Sequence, residues 1–234
     1  MRCIGIIGAM EEEVAGLKEM MENVTITRKA SMEFYEGTLE GKKVVVVRSG
    51  IGKVNAGICA QILADVFQAE VILNTGIAGS LNKEINIGDI VISTDVLQHD
   101  VDAVAFGYEK GQIPQMDVMS FQADEALRRL AVQVCKEVNP EIQVFEGRIA
   151  SGDQFISSRE VKEAIAGEFG GYAVEMEGAA IGQAAYLNKI PFLIIRAISD
   201  KADDSAQMDY PAFEAEAIKH SVRLTHGMLK ALQD

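Results

Sequence analysis

The amino-acid sequence predicts an α/β layer fold, in which strands and helices alternate along the chain. Short apolar runs of strand length alternate with longer amphipathic segments from end to end. Two runs, Val44–Val47 and Phe192–Ile195, are apolar at every position, which is typical of strands covered on both faces. Because the chain has 234 residues and no linker rich in Pro, Gly or Ser, we expect one domain over residues 1–234.

Seven runs are interpreted as strands from their apolar and β-branched content. In chain order they are Cys3–Ile7, Lys43–Arg48, Val71–Asn74, Asp89–Ser93, Gln143–Ile149, Tyr172–Val174 and Phe192–Ile198. The segment Val24–Leu39 alternates more loosely and predicts a hairpin, with Gly37 and Gly41 as its expected turn residues.

Apolar residues spaced by three and four positions predict helices. One such stripe contains Val54, Ile58, Ile62 and Val66, and a second contains Leu127, Leu130, Ala131, Val134 and Val138. The clearest stripe lies near the end of the chain and contains Ile218, Val222, Thr225, Leu229 and Leu232. His220 and His226 are expected on the polar side of this last helix. The irregular segment Asp100–Gln122 is too long for a simple turn, which is typical of functional or interfacial loops.

The charge balance excludes some classes of protein. The chain has 22 Lys+Arg and 35 Asp+Glu, for a formal net charge of −13. Proteins that hold phosphate backbones or anionic membranes need clustered basic residues, so nucleic-acid binding and membrane binding are not expected. No run approaches the length of a membrane span, and the apolar stretch Met1–Met10 is too short for a secretory signal.

The cysteines and histidines suggest no metal site. Cys3, Cys59 and Cys135 are odd in number and far apart, which favours a reducing, cytoplasmic location over a disulfide framework. His99, His220 and His226 lack ligand spacing. No metal ion is therefore expected.

Two glycine-rich segments invite comparison with nucleotide-binding loops. Gly50–Lys53 lacks the earlier glycine and the following Ser or Thr of a phosphate loop, and Asn55 stands where the dinucleotide fingerprint needs glycine. We interpret Gly50–Lys53, and likewise Gly76–Gly79, as tight turns after strands, where the backbone can also line a ligand.

Three acidic clusters follow predicted strands, at the edge where open α/β sheets build their sites. They are Glu11–Glu13, the segment Val174–Glu177 and the segment Arg196–Asp200. Each has a structural alternative: the glutamates could favour helix N-termini, and Asp200 could cap a turn or pair with Arg196. One helix and one strand separate Glu177 from Asp200, so both are expected at the same sheet edge. That convergence favours a catalytic site.

A set of motifs along the chain resembles a known enzyme family. They are GIIGAMEEE at 5–13, SGIGKV at 49–54, NTG at 74–76, GDIV at 88–91, FGYE at 106–109, SGD at 151–153, VEME at 174–177 and RAISD at 196–200. Together, and in this order, they resemble the 5′-methylthioadenosine/S-adenosylhomocysteine nucleosidases of the purine nucleoside phosphorylase superfamily. The resemblance implies a three-layer α/β/α sandwich with a mixed central sheet.

The resemblance also implies an activity. The family hydrolyses the bond between adenine N9 and ribose C1′ of adenosine thioethers with water as co-substrate, without a cofactor, as a homodimer. Relatives act on methylthioadenosine, S-adenosylhomocysteine and 5′-deoxyadenosine, and some act on a futalosine-type intermediate. By the same resemblance, Asp200 protonates adenine N7, Glu13 accepts a proton from water, and Glu177 binds ribose hydroxyls.

The remaining implied contacts form a pocket. Substrate-binding positions are Ala9, Ile51, Gly79, Phe155, Ile156, Val174, Glu175, Met176, Ser199 and Ala202, with Ile156 acting through its backbone. The positions expected to close the alkylthio end of a partner subunit's pocket are Phe106, Pro114 and Tyr210. Ile77 departs from the serine common in relatives. Burial after an apolar strand is expected to raise the pKa of Asp200, while a helix start is expected to favour Glu13 as the anion.

Two other functions are compatible with an α/β fold of this kind. A phosphorylase of the same superfamily would bring phosphate to C1′, but three adjacent glutamates repel that dianion and no arginine is found near Gly8. A non-catalytic nucleoside sensor could share the fold, since a fold alone confers no activity. It would not need Glu13, Glu177 and Asp200 together, so the sequence favours a hydrolase.

Overall fold

The computed structural model describes residues 3–232, and the ends of the predicted domain, residues 1–2 and 233–234, lie outside them. The strands are β1 (Cys3–Gly8), β2 (Glu22–Lys29), β3 (Met32–Leu39), β4 (Lys42–Arg48), β5 (Val71–Ser80), β6 (Ile90–Gln98), β7 (Phe121–Gln122), β8 (Val144–Ser151), β9 (Ala173–Glu175) and β10 (Phe192–Asp200). The helices are α1 (Glu11–Glu19), α2 (Lys53–Asp65), α3 (Glu125–Val138), α4 (Arg159–Phe169), α5 (Gly178–Asn188) and α6 (Ala206–Ala231). A short 3₁₀ helix spans Val104–Phe106.

The strands form one mixed sheet, as expected. Strands β4, β1, β5 and β10 lie side by side and parallel, and β3 and β2 extend the β4 edge as antiparallel strands. On the other side, β6 pairs with β10, β8 with β6, and β9 with β8. Because β9 also pairs with β5, the strands β5, β10, β6, β8 and β9 close on one another as a small barrel.

Helices cover the sheet in two groups, which confirms the three-layer α/β/α class. Helix α6 packs on α1 and α3 and covers β5 and β10, while α2 packs against α5. The runs Val44–Val47 and Phe192–Ile195 are buried at every position, as strands between helical layers require. No helix within residues 3–232 combines the length and apolar character that crossing a membrane requires.

All seven predicted strands are present, but several continue further than predicted. Strand β5 runs on to Ser80, so Gly76–Gly79 is part of a strand and not the turn expected there. Strand β10 reaches Asp200 and β6 reaches Gln98. Strands β5 and β10 are buried to their ends, but their last residues include small and polar ones, so the apolar pattern stops before the backbone pairing does. Residues in the extended ends of β5 and β10 line the cavity that is the candidate active site.

The hairpin predicted in Val24–Leu39 is present as β2 and β3, but its turn is not at a glycine. Ala30 and Ser31 form the turn with φ of 48° and 62°, a left-handed pair that usually selects Asn-Gly. Gly37 lies inside β3, where a Cβ would come within 2.6 Å of the Glu22 carbonyl oxygen. Its role is therefore a close strand approach, whereas Gly41 does occupy the turn before β4.

Helices α2 and α6 are confirmed, with two corrections to their faces. On α2 the buried residues are Ala56, Cys59, Ala60 and Leu63, whereas Val54 is 71% exposed and Ile58 is 43% exposed. On α6 the predicted stripe faces the core, but His220 is buried as well, with its Nδ1 2.9 Å from the Gly88 carbonyl oxygen. Helix α4 was not predicted, and the structure shows that it buries only Ile165 and Phe169.

Candidate active site

One cavity of about 480 Å³ opens where β1, β5, β9 and β10 end. Convergence of strand ends is how sheets of this class build sites. The residues that line it are Ala9, Met10, Glu13, Ile51, Ile77, Ala78, Gly79, Phe155, Val174, Glu175, Met176, Glu177, Ser199, Asp200, Gln207, Tyr210 and Pro211. The three acidic clusters of the sequence therefore meet in one place, through Glu13, Glu177 and Asp200.

Most residues implied by the resemblance lie in this cavity. The exceptions are Ile156 and Ala202, which are buried in a small cluster behind it, and Phe106 and Pro114, which lie outside it. Tyr210 was expected in the pocket of a partner subunit, but it lines the cavity of its own chain, because α6 begins directly after β10 and returns over the site. Its ring packs edge-on against Phe155, with centroids 5.8 Å apart.

Glu13 is held in the first turn of α1 by backbone N–H groups. The N–H groups of Ala9 and Met10 donate to Oε2 at 2.7 and 3.0 Å, and that of Ile77 donates to Oε1 at 3.1 Å. Burial raises the pKa of Glu13, and the charge of Arg196 and these three donors oppose the rise without cancelling it. The expectation that a helix start favours Glu13 as the anion is therefore wrong in its net direction, because burial outweighs the three N–H donors and the charge of Arg196.

Gly76 makes room for the Glu13 carboxylate. A Cβ at position 76 would lie 2.5 Å from Glu13 Oε1, closer than any real contact. The backbone of β5 can therefore approach the carboxylate only because residue 76 is glycine.

Asp200 ends β10 and lies beside a turn that it also caps. Its Oδ1 accepts the Ala202 N–H at 2.7 Å, and its Oδ2 accepts the Ser199 hydroxyl at 2.9 Å. Ala202 has a left-handed φ of 52°, which turns its N–H back toward the carboxylate. Burial raises the pKa of Asp200 although both donors oppose the rise, as the sequence predicted. Turn capping and cavity lining are thus combined in one residue.

Glu177 lies between β9 and α5 and is 6% exposed. Its Oε1 accepts the Gly52 N–H at 2.8 Å. Burial and the neighbouring Glu175 raise the pKa of Glu177 to about 7, against the opposing charge of Arg196 and the Gly52 N–H. Burial and the charge of Glu175 thus disfavour the ionised form of Glu177, and the Gly52 N–H and Arg196 favour it.

Arg196 pairs with Glu175, and not with Asp200 as one alternative had it. Arg196 is 1% exposed, and its guanidinium also donates to Asn74 Oδ1. The other contacts of Glu175 are the Ser151 hydroxyl and the N–H groups of Glu177 and Gly178. Glu175 lines the cavity, but its oxygens are engaged in fixing the turn that carries Glu177.

Several residues that line the cavity were not predicted from the sequence. They are Met10, Ala78, Gln207 and Pro211, together with Ile77 in its role as a backbone donor. Met10 and Ala78 adjoin predicted positions, so adjacency could have indicated them. Gln207 and Pro211 lie in the first turns of α6 and carry no motif. Within residues 3–232 no group of three or more His, Cys, Asp or Glu side chains is arranged to hold a metal ion.

Comparison with known proteins shows the family. Residues 3–232 match the model of the phosphorylase superfamily. A 5′-methylthioadenosine/S-adenosylhomocysteine nucleosidase of Bacillus licheniformis is 45% identical over 98% of this chain and 99% of its own length. One of Staphylococcus carnosus is 46% identical over 98% of this chain and all of its own. The chain belongs to the 5′-methylthioadenosine/S-adenosylhomocysteine nucleosidases of the phosphorylase superfamily.

Solved structures of family members agree with the fold. The Neisseria meningitidis nucleosidase, in complex with methylthio-immucillin-A, superposes with a TM-score of 0.95 at 40% identity, covering 99% of this chain and 100% of that one. The futalosine hydrolase of Helicobacter pylori superposes with a TM-score of 0.93 at 35% identity, covering 99% and 98%. This family member is accordingly an enzyme, an N-glycosidic hydrolase.

Proposed function

We propose that the enzyme hydrolyses the N9–C1′ bond of 5′-methylthioadenosine and S-adenosylhomocysteine, releasing adenine and the 5-thio-substituted ribose. The observation that carries the proposal is the meeting of three buried carboxyl groups, those of Glu13, Glu177 and Asp200, in one largely apolar cavity. Cleavage of such a bond develops oxocarbenium charge on the sugar, which a pair of carboxyl groups can promote, one as acid and one as base. The names of the family relatives give the same substrates.

Asp200 is proposed as the acid. Its raised pKa favours the protonated form, which alone can donate a proton to adenine N7 and make the base a better leaving group. The Ser199 hydroxyl and the Ala202 N–H fix both of its oxygens, so the carboxyl group is oriented before substrate arrives.

Glu13 is proposed as the base. The water oxygen forms the new bond to C1′ as the bond to N9 breaks, and Glu13 takes a proton from that water. The raised pKa of Glu13 makes it a stronger base than a solvated glutamate once ionised. Glu177 in its ionised form accepts hydrogen bonds from ribose hydroxyls, and Met176 packs on the sugar and base.

The apolar end of the cavity is proposed to hold the 5′ substituent. Met10, Ile51, Phe155, Tyr210 and Pro211 supply thioether, aliphatic and aromatic surface there. Such surface accepts an alkylthio group and tolerates its loss, so 5′-deoxyadenosine is proposed as a further substrate.

The first test measures adenine release from both thioethers, from 5′-deoxyadenosine and from a futalosine-type nucleoside, with and without added phosphate. Release from the thioethers and from 5′-deoxyadenosine is expected to be independent of phosphate. Within the described residues, the cavity lining contains no Lys or Arg to receive a phosphate dianion. A requirement for phosphate would indicate a phosphorylase, and binding without release would indicate a sensor.

The second test replaces the two proposed catalytic groups. Asp200→Asn and Glu13→Gln are each expected to lower kcat by about 10²-fold or more, the usual contribution of a general acid or base. Exposed neighbours give matched controls, Asp204→Asn and Glu12→Gln, which should retain full activity. A kcat within threefold of wild type in either variant would show that the replaced residue is not the general acid or base.

We also propose that the enzyme is a homodimer. The apolar side chains of Val54 and Ile58 on α2 are exposed, and Phe106 is 84% exposed. A second copy of the chain would cover them and bring Phe106 and Pro114 toward the apolar end of the cavity. The cysteines Cys3, Cys59 and Cys135, all buried free thiols, suit a cytoplasmic enzyme.

A further inference from the structure

Outside the cavity, three charged residues from separate segments form a cluster, Lys53, Asp100 and Asp153. The Lys53 ammonium donates to Asp100 Oδ1 at 2.6 Å and to Gln98 Oε1 at 3.0 Å. The Asp153 N–H donates to Asp100 Oδ2 at 3.0 Å. One carboxylate thereby joins the start of α2, the segment after β6 and the segment after β8. None of the three residues lines the cavity.

The cluster is adjacent to the turn that holds Glu177. Successive N–H groups of this turn diverge: that of Gly52 donates to Glu177 Oε1 at 2.8 Å, and that of Lys53 donates to Asp153 Oδ1 at 2.8 Å. Gly52 has a left-handed φ of 97°, and a Cβ there would lie 3.1 Å from Asp153 Oδ1. The position of the Gly52 N–H therefore depends on where Asp153 is held.

The carboxylate of Asp100 is suited to hold Asp153 in place. Its pKa is lowered although burial acts to raise it, because the Lys53 ammonium and the Asp153 N–H bond to the charged carboxylate. Hydrogen bonds to ionised groups are stronger than neutral ones. The side chains of Lys53 and Asp100 are only 18% and 22% exposed, so solvent screens the pair less than a surface pair.

We propose that Lys53, Asp100 and Asp153 are positioning residues that keep the Gly52 N–H on the carboxylate of Glu177, so that the ionised form of Glu177 is favoured and its carboxylate is held oriented toward the ribose. The proposal rests on the proposed function, in which Glu177 binds ribose hydroxyls. The cluster never touches substrate, and it acts through the turn Gly50–Gly52.

The charges around Glu177 explain why this N–H matters. Glu175 from β9 and Glu13 from α1 disfavour its ionised form, and Arg196 from β10 favours it. Arg196 is already paired with Glu175. Loss of the Gly52 N–H therefore leaves Glu177 with two neighbouring carboxyl groups and a shared cation, so it takes up a proton at higher pH.

The experiment compares Asp100→Ala and Lys53→Met with wild type in three measurements: steady-state adenine release from methylthioadenosine, its pH profile, and inhibition by adenine. KM is expected to rise about tenfold, the value of one hydrogen bond to a charged group, with kcat changed less than threefold. The acid limb of kcat/KM is expected to move up by about one pH unit. Inhibition by adenine should stay within twofold, since adenine lacks the ribose that Glu177 binds.

Further variants separate positioning from general damage. Asp100→Asn keeps one acceptor oxygen and is expected to recover part of the loss. The double variant Lys53→Met/Asp100→Ala should be no worse than the more impaired single variant, since both break one unit. Asp102→Ala, in the same segment and exposed, is the matched control and should behave as wild type.

Several results would overturn the proposal. These are a KM within twofold of wild type in folded Asp100→Ala, an unmoved acid limb, or a loss of adenine inhibition as large as the rise in KM. If Asp100→Ala shows no cooperative thermal transition, Lys53→Met and Asp100→Asn decide the question by the same criteria. If wild type releases no adenine, the proposed function fails, and calorimetric nucleoside binding by wild type and Lys53→Met still tests the positioning.

Discussion

At the scale of single residues, the site depends on backbone groups as much as on side chains. Each of the three carboxyl groups accepts at least one backbone N–H, from Ala9, Met10 and Ile77 for Glu13, from Ala202 for Asp200, and from Gly52 for Glu177. These donors oppose the cost of burying a charge, while burial still raises all three pKa values. The contact from Ile77 uses its N–H, so it does not depend on the side chain at position 77.

Gly76 gives a prediction at this scale. In Gly76→Ala, the new Cβ would displace Glu13 Oε1, which lies only 2.5 Å from its position. We expect adenine release to fall by about 10²-fold, as for loss of the base itself. Gly167→Ala in α4 is the control, because nothing lies within 4 Å of its Cβ, and helix propensity favours alanine there by about 1 kcal/mol. Full activity in folded Gly76→Ala would show that Glu13 is not held as described.

At the scale of elements, the lengths of the strands decide the site. Strands β5 and β10 run in parallel from the core to Gly79 and Asp200, and their register pairs those two residues. A Cβ on Gly79 would lie 2.8 Å from Asp200 Oδ1. The strand ends therefore place the carboxyl group, and the loops that follow contribute the apolar lining.

Helix α2 gives a prediction at the element scale. Its exposed face is proposed to meet a second copy of the chain, so Val54→Asp should bury an unpaired charge at that interface and favour dissociation. Sedimentation is expected to show twice the chain mass for wild type and the chain mass for the variant, with a higher KM for methylthioadenosine. Val161→Asp makes the same change on the exposed face of α4 and should leave the mass unchanged. A monomeric wild type would refute the dimer.

At the scale of the whole molecule, the buried carboxyl groups of the site lower the free energy of unfolding when they are ionised. A carboxyl group whose pKa is raised on folding keeps its proton to higher pH in the folded state than in the unfolded state. For Glu177, this penalty is absent below its ordinary pKa, grows as the pH rises toward about 7, and is fully present above it. The net charge of −13 adds general repulsion in the same direction.

The corresponding prediction compares Glu177→Gln with wild type at one protein concentration. The variant lacks the buried charge, so its free energy of unfolding at pH 8 should exceed that of wild type by roughly 3 kcal/mol, with little difference at pH 4.5. Its kcat/KM should nevertheless fall, since a neutral amide binds ribose hydroxyls less well. Urea unfolding at both pH values measures this, and Glu12→Gln is the exposed control. A variant less stable than wild type at pH 8 would contradict the assigned pKa direction.

Many strands, helices and site residues could be predicted from the sequence because each is marked by a pattern within a short segment of the chain. Uninterrupted apolar runs such as Phe192–Ile195 identify buried strands, since only strands between two helical layers need apolar side chains on both faces. Acidic motifs that directly follow strands predicted that Glu13, Glu177 and Asp200 lie together at one edge of the sheet. Resemblance to the family added the roles and most of the lining.

Contacts between residues far apart in the chain, and the burial that follows from them, were decided by the packing of the fold. It paired Arg196 with Glu175 and not with Asp200, buried His220, exposed Val54, and returned Tyr210 over its own cavity. Neither a helix's spacing nor a side chain's charge states which neighbour it will meet, because that depends on how layers pack. Local patterns in the sequence indicated most of the elements and the three carboxyl groups, whereas packing decided their contacts and therefore their protonation.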